Sequence, residues 1–295
     1  MHMNAEQNKK GVIFILLASL MFGSYGVWSK LIGDDFGVFY QGWVRALILT
    51  IILVPILIYR KELIPIQKKD WGWLAVFLLF TSMTQAPIFY AYNHMDIGSA
   101  TLLYFVTMLL TMYLVGFIFL GEKVTRIKII SFVLALTGMY SIFSFSLVAF
   151  TLLAAGLAVL NGFASGGEVS FSKKLSGAYS PLYLVTMSWV IILFTNGPIS
   201  IIIGETQHLP SLDVVWLYQI GYTIASLFGF WLIIKGLKYI ESSIGGLIGL
   251  LEIVFSILFG VFLFKEVLTY QVALGTILII FAVALPHVYR LVSKK

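Results

Sequence analysis

Three ionisable side chains interrupt otherwise apolar stretches of this 295-residue chain: Arg45, Glu168 and Glu252. A charge at the centre of a bilayer costs roughly 2.5–3.5 kcal/mol on insertion scales, so such residues face cavities or partners. Glu252 stands near the middle of the stretch 242–264. A carboxyl group there can hold a proton or the cationic part of a substrate, or it can form a permanent pair with a neighbouring helix. Arg45 is a candidate for that partner, or for contact with an anionic substrate group. Glu168 follows Gly166 and Gly167 and precedes Lys173 and Lys174. The two glycines permit close helix approach or local unwinding, which would put the carboxylate on a narrow vestibule; pairing with Lys173 is the structural alternative.

Around these charges, Gln85, Asn161 and Tyr222 stand at mid-depth, with Tyr25, Tyr90, Tyr104 and Met108 at neighbouring depths. Aromatic rings beside a carboxylate hold an ammonium group by cation–π attraction and charge pairing. Rings also fill helix contacts, and Asn161 and Gln85 can serve as interhelical hydrogen bonds. Trp71 and Trp73 read as anchors at the membrane surface. Catalytic residues are not expected: there is no phosphate-binding Gly-x-x-x-x-Gly-Lys loop, no His-Glu-x-x-His pair and no Gly-x-Ser-x-Gly elbow. No cysteine occurs, and His94 and Asp96 lack a third neighbouring ligand, so neither a metal nor another cofactor is expected.

Membrane helices must position these groups. The chain is 60% hydrophobic, 16% aromatic and only 11% charged, with a mean hydropathy of +1.00, against roughly 25% charged residues in soluble domains. Apolar windows long enough to cross a bilayer recur at 11–29, 36–59, 71–92, 98–120, 128–143, 147–172, 181–203, 214–234, 242–264 and 267–289. The weakest boundary is the fifth, where Ser144–Ser146 is the sole polar break; merging there would give nine spans. Runs such as 51–58 and 274–283 are apolar on every face, which fits helices and not barrel strands. The fold class expected is therefore all-α integral membrane, with ten transmembrane helices. With the N- and C-termini cytoplasmic, every basic residue except Lys30, Lys265 and Arg45 falls on the inner side. The basic pI of about 9.3 is thus a topology signal, and no nucleic-acid partner is expected.

Sliding the chain by 144 residues carries Gly23, Lys30 and Gly33 onto Gly167, Lys174 and Gly177, and Ser82 and Ser99 onto Ser226 and Ser243. Gly116, Glu122 and Thr125 likewise fall on Gly260, Glu266 and Thr269. Two five-helix repeats follow, over 1–145 and 146–295. Because five is odd, the second repeat is inverted, which puts Glu122 and Glu266 at opposite mouths as structural or gating residues.

At this point the chain resembles the drug/metabolite transporter superfamily, in particular its ten-helix EamA-type members. Phe22, Gly23 and Ser24 followed by Lys30 look like that family's Trp-Gly-Ser…Lys signature, with phenylalanine for tryptophan. Arg45 comes at the expected place. The segment from Gly98 through Glu122 to Gly138 resembles the family's small-residue start, Gly-Glu end and following glycine-bearing helix, and Leu251, Glu252 and Glu266 repeat it. The proline usually found before each closing glutamate is Leu109 in one half and Ile253 in the other, so no proline kink is implied there. The resemblance implies a cofactor-free secondary transporter in the cell membrane, with a cavity walled by helices one, three, four, six, eight and nine. Helices five and ten would be peripheral, near a homodimer contact. Its partners would be membrane lipid and a small-molecule substrate, with a proton as one option for coupling. The carboxylates and rings favour an amino acid or amine. A sugar or organic-anion substrate, or a lipid-handling or membrane-structural role, is the alternative.

Overall fold

The computed structural model describes residues 5–84, 86–143 and 151–292. In chain order its helices are α1 (Ala5–Gly23), α2 (Tyr25–Ile32), α3 (Val38–Tyr59), α4 (Trp71–Ser82), α5 (Ala86–His94), α6 (Ile97–Leu120) and α7 (Arg126–Phe143). They continue as α8 (Leu152–Leu175), α9 (Pro181–Ile202), α10 (Val214–Leu237), α11 (Ser242–Gly249), α12 (Leu251–Phe264) and α13 (Tyr270–Val292). No strand occurs among the described residues. Among the described residues nine segments are long and apolar enough to cross a membrane, with α1–α2 and α11–α12 each counted as one. The tenth is α4 followed by α5, which are separately too short. The fifth and sixth spans are two helices, α7 and α8, and the polar break proposed between them lies outside the described residues. Large apolar side chains such as Ile51, Phe117, Phe262 and Phe281 remain uncovered on the helix exteriors, as lipid contact requires.

Packing follows an inverted two-repeat plan. Helix α3 packs on α9 and α7 on α13, each pair being repeat-mates; α6 packs on α8, while α12 and α11 pack on α1. Backbones meet closely where side chains are absent. A Cβ at Gly138 would stand 2.8 Å from the Gly275 carbonyl, and one at Gly166 would crowd Thr111 Cβ at 2.8 Å, so substitution there pushes α7 from α13 or α8 from α6. Helices α3 and α9 both carry an internal proline, Pro55 and Pro198. Each is followed by a left-handed residue, Lys61 at φ 55° and Gly204 at φ 77°. Left-handed caps also end α6 and α12, at Gly121 and Lys265, and the next N–H in each case reaches back to Gly116 O or Gly260 O.

Three spans are broken; no proline stands at the breaks in the first and ninth, whereas in the third Pro87, in the first turn of α5, has no N–H to donate back to Met83 O. Leu250 N–H is shared between Gly246 O and Leu247 O, each at 3.2 Å, a tight turn that interrupts the ninth span between α11 and α12. Gly245, Gly246 and Gly249 lower the cost of leaving the helix there. In the first span Ser24 N–H is likewise shared between Leu20 O and Met21 O. In the third, α4 ends at Ser82. Hydroxyls take up carbonyls at each break: Ser19 Oγ reaches Ile248 O at 3.1 Å, Ser24 Oγ reaches Met21 O at 2.6 Å, and Thr84 Oγ1 reaches Thr81 O at 2.8 Å. The fourth span, α6, is continuous.

Candidate functional site

Each break lies beside an intramembrane carboxyl group. Glu252 opens α12 immediately after Leu250. The end of α1 packs on that turn so tightly that a Cβ at Gly23 would stand 2.9 Å from Glu252 O. Glu252 is only partly buried, and Tyr25, Tyr92 and Tyr104 are within electrostatic reach from α2, α5 and α6. The Glu252 carboxyl group forms no hydrogen bond or ion pair with any described residue.

Tyr25 and Tyr222 meet edge to face at 4.8 Å, and the Arg45 guanidinium lies 3.8 Å from the centre of the Tyr222 ring. Arg45 is 6% exposed, and among the described residues its Nε and Nη1 find no hydrogen-bond partner, nor do Tyr25 Oη, Ser226 Oγ and Gln219 Oε1. The other end of the Gln219 amide donates to Gln41 O at 2.9 Å. The pairing of Arg45 with Glu252 is thus corrected: Arg45 is held by a ring, and among the described residues it has no acid partner. The cause lies in the packing: α3, which carries Arg45, packs on α9 and α10, whereas Glu252 stands on α12, which packs on α1 and α13.

Glu168, 3% exposed, sits beside the break in the third span. Thr81 Oγ1 donates to its Oε1 at 3.0 Å and Ser188 Oγ at 3.3 Å. Lys173 does not pair with it. That ammonium instead donates to Glu122 Oε1 at 2.8 Å and Ile240 O at 2.7 Å.

Glu122 builds the basic-side mouth. Beyond the end of α6, it accepts the backbone N–H groups of Ser242 and Ser243, the first residues of α11, and the Ser243 hydroxyl at 2.8 Å. Burial would raise its pKa, but Lys173 and those two amides hold it below the ordinary carboxylate value. Lys128 reinforces the joint by reaching Glu241 and Lys123 O, each at 2.8 Å. The opposite mouth differs. Glu266, the repeat-mate of Glu122, meets only Lys30, at 2.9 Å, and both side chains are more than half exposed, 56% and 53%. The amide matching that of Ser243 belongs to Ser99 and is donated to Asp96 Oδ2 at 2.8 Å. One closing glutamate is capped into the other repeat, and its mate is not.

Of the other residues singled out, Tyr104 and Tyr222 join the cluster. Asn161 is buried with its Oδ1 unpartnered among the described residues, so that oxygen is not an interhelical bond. Gln85 lies outside the described residues. Tyr90 is 37% exposed and stacks on His94 at 3.9 Å, while Tyr92 on the same helix is half-buried. Trp73 is partly buried, packing on Phe119 and Phe171 at 5.8 Å each, and Trp71 is exposed. The residues missed are Tyr92, Thr81, Ser188 and Gln219. None of the four carries a repeat identity that could have marked it.

Two inverted five-helix halves with broken spans and unpaired polar groups at mid-depth define a multi-pass membrane transporter. The chain belongs to the EamA-like transporter family, whose model matches residues 9–144 and again 152–286. A solved crystal structure is similar in fold, with a TM-score of 0.77 at 16% identity, covering 95% of this chain and 98% of the other. No curated protein matches the chain.

Proposed function

We propose that the protein is a secondary transporter that moves a small amine-bearing metabolite, an amino acid or related amine, across the cytoplasmic membrane by alternating access. The observation that carries this reading is the unequal state of two repeat-related mouths: Glu122 caps α11, while Glu266 leaves the start of α6 to Asp96. Halves of one design can exchange conformations, so the mate of a sealed mouth is the natural second state. In that state Glu266 would take the amides at Gly98 and Ser99, and Glu122 would release Ser242 and Ser243. With the lysine-rich side cytoplasmic, the present state opens outward.

Between the mouths, Glu252 supplies the carboxylate for an ammonium group, and the rings of Tyr25, Tyr92, Tyr104 and Tyr222 line its approach. Glu168, held by two hydroxyls and no cation, suits a proton that is exchanged during the cycle. The test is thermal stabilisation of purified protein by a panel of amines, amino acids, sugars and organic anions, followed by flux in proteoliposomes. An amine or amino-acid hit lost in Glu252→Gln, with saturable flux, supports the reading. Stabilisation by sugars or anions alone would sink the amine assignment. A hit-free panel without saturable flux would favour a membrane-structural role.

A further inference from the structure

An apolar groove opens to the bilayer between α4, α6 and α8, lined by Trp73, Phe80, Phe119, Phe163 and Phe171 together with aliphatic residues of α6. Its one polar lining residue, Thr111, turns its hydroxyl to Thr107 O at 2.8 Å. The rings form a continuous ladder: Trp73 stacks on Phe171, Phe171 on Phe80 at 5.5 Å, and Phe80 meets Phe163 at 5.0 Å. From Phe163 to Lys174 the helix rises about 16 Å, the depth of one leaflet.

All three helices that line the groove reach the membrane surface at exposed lysines. Lys68 and Lys69 lead into α4, Lys123 follows α6, and Lys174 ends α8. Lys174 Nζ lies 5.2 Å from the Trp73 ring, directly over the groove's mouth. Neighbouring acids are engaged elsewhere: Glu122 by Lys173, and Asp70 by the Tyr179 hydroxyl at 3.1 Å. The inverted repeat keeps neither half of this pattern. At the equivalent positions Trp73, Phe80, Phe119, Phe163 and Phe171 become Leu217, Ile224, Leu263, Ser19 and Val27. Lys69 and Lys123 become Asp213 and Val267, and Lys30, the mate of Lys174, is paired with Glu266.

We infer that this groove is a binding site for an anionic phospholipid, with an acyl chain along the ring ladder and the phosphate on Lys174 and Lys123. Apolar walls exclude a soluble anion from the groove, and four lysines without acid partners among the described residues call for negative charge at its mouth. Lys173, next to Lys174, belongs to the sealed mouth, so the bound lipid sits against the joint that closes that side.

The test uses proteoliposomes with brominated acyl chains on either phosphatidylglycerol or phosphatidylcholine. Trp73 fluorescence is taken as the difference between the wild type and Trp73→Phe. At equal mole fraction, quenching of that component is expected to be at least twofold greater with phosphatidylglycerol, and Lys123→Gln/Lys174→Gln should abolish the preference. Equal quenching in the two lipids would overturn the site, as would absence of quenching in both, the result if a protein partner filled the groove. Detergent-solubilised protein should gain thermal stability from phosphatidylglycerol and not from the same concentration of inorganic phosphate. A gain from phosphate alone would reduce the site to lysines that bind any anion.

Discussion

The α3–α9 pair and the two mouths are built from the same duplicated parts, yet one keeps its symmetry and the other breaks it. At the start of α3, Glu205 accepts Phe39 N–H at 3.1 Å and Tyr40 N–H at 2.6 Å. At the start of α9, Glu62 accepts the Ser180 hydroxyl at 2.5 Å, and that hydroxyl in turn caps Tyr183 N–H. Both pins are made at once. At the mouths, Glu122 is made and Glu266 is not. Elements pinned in both halves have no second arrangement to visit, so in the proposed cycle α3 and α9 would serve as scaffold while the ends of α6 and α12 move.

The largest expected effect is that of Glu122→Gln. Breaking a buried ion pair costs about 3–5 kcal/mol, so thermal unfolding of this variant should fall far below the wild type. The chain has no cysteine, which permits a sharper readout. Ser170, whose hydroxyl meets Ser242 Oγ at 2.7 Å inside the sealed mouth, can be replaced by cysteine. It should resist an impermeant thiol reagent in the wild-type background and react at least tenfold faster with Glu122→Gln. Equal labelling would mean that Glu122 does not hold the mouth.

Glu266→Gln should behave oppositely. An exposed pair such as Lys30–Glu266 contributes about 0–1 kcal/mol, so stability should hardly change, while saturable flux falls at least tenfold because the second state loses its cap. A stability loss as large as that of Glu122→Gln would erase the distinction between the mouths. Removing a pin should do the reverse: Ser180→Ala should cost about 1 kcal/mol in unfolding experiments and leave flux per folded molecule unchanged. The smallest effect is on acid stability. Because the Glu122 pKa is lowered in the folded protein, its contribution is complete above the ordinary value of 4.5 and is lost as pH falls below that, through the folded pKa. The wild type should lose stability in that window more steeply than Glu122→Gln, as melting curves from pH 7 to 3 would register.

Much of the architecture was legible because the identities that survive between the repeats sit where backbone geometry demands them. Gly116 and Gly260 lie under Glu122 and Glu266, where a Cβ would collide with the carboxylate. Ten spans and their inversion follow from such positions together with the lysine distribution. The breaks in the first and ninth spans were not legible, since no proline marks Ser24 or Leu250 and the hydroxyls of Ser24 and Ser19 take up carbonyls there; only the third is marked, by Pro87. The depth of Tyr90 could be read from distance along the chain, but the face it presents depends on how α5 restarts after the break. Arg45 was legible as an intramembrane charge, whereas its ring contact with Tyr222 required two helices to be brought together.

Asp96 gives the open mouth one more property. Its carboxylate already satisfies Ser99 N–H and the Ser99 hydroxyl, so in the proposed cycle Glu266 would arrive as a competitor for an occupied donor and never for a bare one. Exchange of one carboxylate for another leaves no amide stripped of its partner midway, which lowers the barrier to switching. Asp96 is then a timing element: its strength as an N-cap sets how long the transporter dwells with this mouth open.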